Sequence, residues 1–75
     1  MAGEDAIEIE GIVTERLAAG LFHLRLPNGH TILAHTPMRL LEQVQEAGPG
    51  DRLTVEMTPF DMSKGRVKSL NRNLI

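Results

Sequence analysis

Lys64, Gly65, Arg66 and Lys68 set three cations within five residues around a glycine, with no acid among them. Cations clustered in this way suit a phosphate backbone, because backbone contacts need charge and reach rather than shape-specific donors. Arg25 adds a guanidinium that can fork onto a phosphate or stack on a base, and His35 a ring that can hydrogen-bond to a phosphate or 2′-hydroxyl. Arg39 is an isolated cation beside Glu42 and Glu46. Other chemistries are poorly served. The two serines, Ser63 and Ser69, stand among cations in a turn or edge strand. His23, His30 and His35 could form a metal site only with a third ligand on a shared face, and His30 and His35 fall on opposite sides of one strand. Gly48-Pro49-Gly50 lacks the lysine and the spacing of a nucleotide-phosphate loop. No catalytic residue, metal site or cofactor is expected.

Period-two alternation defines the elements that must carry these residues. Ile7, Ile9 and Val13 alternate with Glu8, Glu10 and Thr14, predicting a first strand over residues 6–16, with Gly11 as a bulge or bend in its inward row. Leu17-Ala18-Ala19-Gly20 reads as a turn. Phe22, Leu24 and Leu26 face inward and His23 and Arg25 outward in a second strand. Pro27-Asn28-Gly29 signals a hairpin, since Asn and Gly accept positive φ. Ile32 and Ala34 continue the inward face of a third strand, leaving Thr31, Leu33 and His35 outside. Met38, Leu41, Val44 and Ala47 recur at helical spacing between Pro37 and Gly48. Leu53, Val55 and Met57 then face inward in a fourth strand over 51–57, with Arg52, Thr54 and Glu56 outward. Pro59 opens a turn into a cationic loop, and a fifth strand covers 65–70. This order predicts an all-β, five-stranded Greek-key barrel of the oligonucleotide/oligosaccharide-binding (OB) fold, with a short helix between strands three and four. An SH3-like barrel would leave that helix unexplained.

Several of these residues together carry a family resemblance: Glu4-Asp5 with Ile7-Glu8, Gly11 and Val13, then Asn28-Gly29-His30, Ala34-His35, and above all Gly50-Asp51 through Arg66. Over roughly residues 2–68 the chain resembles bacterial translation initiation factor one. The resemblance implies an OB-fold protein that docks in the decoding A site of the small ribosomal subunit, blocks premature tRNA entry and supports the other initiation factors. It departs from the family pattern in two places. Arg39 is the only cation between strands three and four, and Val67-Lys68-Ser69-Leu70 replaces an apolar, aromatic-containing strand followed by a basic end. Such changes fit a divergent copy or a relative turned to another partner.

Composition bounds the rest. Seventy-five residues make one small domain over 1–75, with 1–5 and 71–75 expected as flexible ends. A chain of this size buries only about 60% of its unfolded surface. With no cysteine, its core must hold by packing alone. No apolar run reaches the length of a membrane span and the first residues are acidic, so a monomeric, cytoplasmic protein is expected. The net charge is −2, yet it is unevenly spread: residues 1–15 carry five acids and no Lys or Arg, whereas 62–75 carry four cations and no acid. Local potential steers a polyanion, so this asymmetry still permits RNA binding. Phe22 and Phe60 are the only aromatics, and Phe22 points inward. A protein so poor in exposed rings suits preformed RNA, gripped through phosphates and 2′-hydroxyls, better than flexible single strands. Arg25, His35, Arg39, Lys64, Gly65, Arg66 and Lys68 are the expected RNA-binding residues. Engagement of about four phosphates would give a salt slope near −3 to −4. The rival classes are a general RNA-binding or RNA-chaperone barrel and a protein-interaction adaptor, the latter motivated by the acidic balance, Leu33 and the tail Leu74-Ile75.

Overall fold

The alternating segments form five strands: β1 (Ile7–Ala18), β2 (Leu21–Arg25), β3 (Thr31–His35), β4 (Arg52–Thr58) and β5 (Asp61–Asn71). A 3-10 turn (Met38–Leu40) and a one-turn helix, α1 (Leu41–Val44), lie between β3 and β4. This computed structural model describes residues 7–59 and 61–71. Phe60 and the expected flexible ends at 1–5 and 72–75 lie outside them. Asn71, expected in the tail, instead ends β5 opposite Arg52. The strands close into a barrel in the order β1-β2-β3-β5-β4. All ladders are antiparallel except β3 with β5, which run parallel. This is the expected five-stranded OB barrel with its helical segment after β3.

Inward parity holds along β2, β3 and β4. Phe22, Leu24, Leu26, Ile32, Ala34, Leu53, Val55 and Met57 are all buried, joined by Val13 and Val67. The helical segment covers this core with Leu40, Val44 and Ala47. Met38, expected on that apolar stripe, is 86% exposed. The 3-10 turn accounts for the change: three residues per turn before α1 shift the phase, so Leu40 rather than Met38 falls over the barrel. The β2–β3 hairpin forms as expected, with Gly29 at φ 90° and the His30 amide donating to Asn28 Oδ1 at 3.0 Å.

Gly11 does not interrupt β1. It pairs in regular register with Leu53 on β4. The register shifts of β1 come later, between Val13 and Glu15 and between Arg16 and Ala18 on its β2 side. They leave Thr14 and Leu17 as the extra residues that bend β1 from β4 towards β2. The Thr14 hydroxyl donates to the His23 carbonyl at 3.2 Å across the first of these shifts.

The larger correction concerns the expected cationic loop. Lys64-Gly65-Arg66 lies inside β5, not in a loop leaving the barrel. The sequence there also alternates, with Lys64, Arg66 and Lys68 exposed and Gly65 and Val67 buried. Gly65 pairs with Ala34 where β5 closes on β3. A Cβ at Gly65 would stand 3.0 Å from Ile32 Cδ1 and 3.3 Å from both Met57 Cγ and Val55 Cβ. Closure therefore requires a residue without a side chain at this point. A β-branched side chain there would overpack the core. Gly65→Val is expected to lower stability by about 2–3 kcal/mol in urea unfolding. Gly48→Ala, where an added Cβ meets nothing within 4 Å, should leave the midpoint almost unchanged.

Candidate nucleic-acid interface

The parallel β3–β5 ladder sets the expected RNA-binding residues side by side. Leu33 pairs with Lys64 and His35 with Arg66, all on outward positions, while Ala34 and Gly65 face the core between them. His35, Lys64, Gly65 and Arg66 line one shallow concavity together with Glu56 and Thr58 of β4. Gly65 contributes backbone alone to that surface, since its missing side chain would point inward. His23, beside Leu33 on β2, lies further round the barrel with its Nδ1 3.5 Å from Glu15 Oε1.

Two of the cations have carboxylate partners. Arg66 Nη2 donates to Glu56 Oε1 at 3.1 Å. Lys68 Nζ lies 3.7 Å from Glu56 Oε2 and 3.5 Å from Glu8 Oε2. Lys68 is the extra residue of a register shift in the β4–β5 ladder, which frees it to reach across β4 to β1. Glu56 is the more enclosed member of its pair, with its side chain 20% exposed against 57% for Arg66. The concavity is thus a mixed-charge surface, with Glu56 among the residues that line it. Lys64 is paired with no carboxylate among the described residues.

Two expected residues lie elsewhere. Arg25 is outward on β2 but lines a different concavity, formed with Glu10, Ile12, Leu26, Pro27 and Arg52. Alternation identifies the face of a strand, not its position around a closed barrel, so it groups His35 and Arg25 by face alone. Arg39 is exposed on the 3-10 turn, which lies against β5. Glu56 is legible in the sequence as outward on β4. Its pairing with Arg66 depends on register, and no local signal reveals that. Among the described residues no three His, Asp or Glu side chains gather as a metal site, and no helix is long and apolar enough to cross a membrane.

Among solved structures, the chain is similar to translation initiation factor one from the Wolbachia endosymbiont strain TRS of Brugia malayi. The two are 33% identical, with 95% of this chain and 82% of that one covered at a TM-score of 0.67. The chain belongs to the translation initiation factor one family. No family model matches it. The barrel is also similar to part of YjeQ from Thermotoga maritima, at 19% identity and a TM-score of 0.66, covering 88% of this chain and 23% of that one. At that identity the likeness concerns the fold alone. Within the initiation-factor fold, the paired concavity of β3 and β5 is the surface where this chain gathers His35, Lys64 and Arg66.

The Glu56 contacts are partly exposed and therefore weak contributors to folding. Glu56→Gln should change the unfolding free energy by less than about 1 kcal/mol, as measured by denaturant titration. A larger loss would mean that the carboxylate is a structural element rather than part of a binding surface.

Proposed function

We propose that this chain is a non-enzymatic translation initiation factor that binds the small ribosomal subunit through ribosomal RNA and supports assembly of the initiation complex. The observation that carries this reading is the concavity lined by His35, Lys64 and Arg66 on a barrel of the initiation factor one family. Lys64, with no carboxylate partner among the described residues, offers an ammonium for a phosphate. Arg66 offers a fork already oriented by Glu56, and His35 a ring for a phosphate or 2′-hydroxyl. Lys68 continues the outward cationic row of β5 although it is paired with Glu8 and Glu56, and Arg39 stands apart on the 3-10 turn. The decoding A site is the target that the family resemblance implies, and a cytoplasmic monomer working beside the other initiation factors is the accompanying reading.

Binding in this way exchanges one anion for another. A phosphate approaching Arg66 competes with Glu56, so charge on the protein limits affinity for any polyanion and favours RNA whose phosphates are held at fitting positions. Arg25 faces another concavity, which reduces the expected engagement from about four phosphates to about three, with a salt slope near −2 to −3.

Cosedimentation with purified small subunits tests the reading. Lys64→Glu with Arg66→Glu should weaken binding by more than about tenfold and flatten the salt slope by about two. Glu56→Gln should tighten binding by about three- to fivefold, matching a partly exposed ion pair of up to about 1 kcal/mol. Chemical footprinting of the decoding region should show protection by the parent protein and none by the double variant. A salt-independent association, or one indifferent to the double reversal, would reject the proposal. Equal affinity for oligouridylate and intact subunits would favour a general RNA-binding role instead.

A further inference from the structure

The second concavity has a different chemical character. Ile12 pairs with Arg25 of β2 on one side and with Arg52 of β4 on the other, so the three stand in one row across the strands. Two interstrand spacings separate the arginine backbones by about 10 Å. Ile12, between them, is 46% exposed. Neither guanidinium is paired with a carboxylate among the described residues. Glu10, which shares the concavity, instead accepts a hydrogen bond from Asn71 Nδ2 at 2.7 Å. The surface therefore presents an aliphatic floor between two available cationic forks.

We propose that this Arg25/Ile12/Arg52 row docks an acidic protein segment that places one apolar side chain over Ile12 and a carboxylate on each arginine. Charge complementarity selects this occupant. Guanidinium forks match carboxylates in two parallel hydrogen bonds, and arginines beside an apolar centre are the usual energetic anchors of protein interfaces. A phosphate chain fits less well. A phosphodiester chain has no aliphatic group to lay over the exposed Ile12, and Glu10 in the same concavity limits the anionic charge that either occupant can bring. No aromatic side chain among the described residues is available for bases to stack on, since Phe22 is buried. The row draws on β2, β1 and β4, whereas His35, Lys64 and Arg66 stand on β3 and β5. The protein can therefore hold RNA and an acidic protein segment on separate faces. So small a patch suits a transient contact.

The test is an amide-shift titration of the nitrogen-15-labelled full chain with three probes: a synthetic peptide with leucine between pairs of Asp and Glu, its counterpart with serine for leucine, and oligouridylate. The leucine peptide should move the Ile12, Arg25 and Arg52 amides with a Kd of about 0.1–1 mM. The serine peptide should bind more weakly, as should the leucine peptide to Ile12→Thr protein. Arg25→Glu with Arg52→Glu should weaken the leucine peptide by about tenfold or more. Both arginines are exposed, and an unchanged circular dichroism spectrum and urea midpoint confirm that the double variant is intact. Stronger shifts at these amides from oligouridylate than from the leucine peptide would overturn the proposal in favour of nucleic acid. Shifts scattered over the barrel, absent, or unaffected by the double variant would overturn it outright.

Discussion

The parallel contact between β3 and β5 is the constraint on which the barrel and its basic surface both depend. Ala34 and Gly65 meet there, a small pair that lets two strands approach over Ile32, Val55 and Met57. A larger residue on either side would hold β5 away from β3, and the sheet would remain open with β3 and β5 as edges. The same pairing fixes which outward residues become neighbours. Because Gly65 is the inward residue, Lys64 and Arg66 must both point outward, beside Leu33 and His35. Packing inside the barrel and charge outside it are consequences of one register.

Electrostatics on the outer face are less one-sided than the run of cations in β5 suggests. Arg66 and Lys68 share the Glu56 carboxylate, and Lys68 also reaches Glu8. These acids come from β4, the strand that closure pairs with β5, and from β1 beyond it. Two faces follow, each with its own chemistry. On β3 and β5 a basic concavity contains a competing acid. On β2, β1 and β4 two arginines without carboxylate partners among the described residues flank an exposed isoleucine.

Much of this architecture was legible wherever alternation was clean and a turn was marked. The inward and outward faces of β2, β3 and β4 follow residue by residue, and Asn28-Gly29 marks the hairpin between the first two. The misreadings arise where a local signal competes with a long-range one. Gly65 between two cations, after Pro59, looks like a loop, although the alternation of Lys64, Arg66 and Lys68 with Gly65 and Val67 is that of a strand. Met38 occupies an apolar position at helical spacing, but the 3-10 turn changes the phase. The candidate site was half visible for a similar reason. Side-chain parity identifies Arg25, His35, Lys64 and Arg66 as outward. Only the strand order reveals that Arg25 joins Arg52 rather than Arg66, and that Glu56 sits among the cations.

β5 is also the last of the five described strands in sequence order, and it supplies the missing neighbour for both β3 and β4. During synthesis, the four earlier strands can pair in sequence or with β1 while two ladders of backbone donors and acceptors wait without partners. A nascent chain halted before Lys64 would therefore display two adhesive borders rather than a weakened barrel, a state prone to capture by other strands. Swift emergence of β5 protects the newborn barrel as much as it completes it.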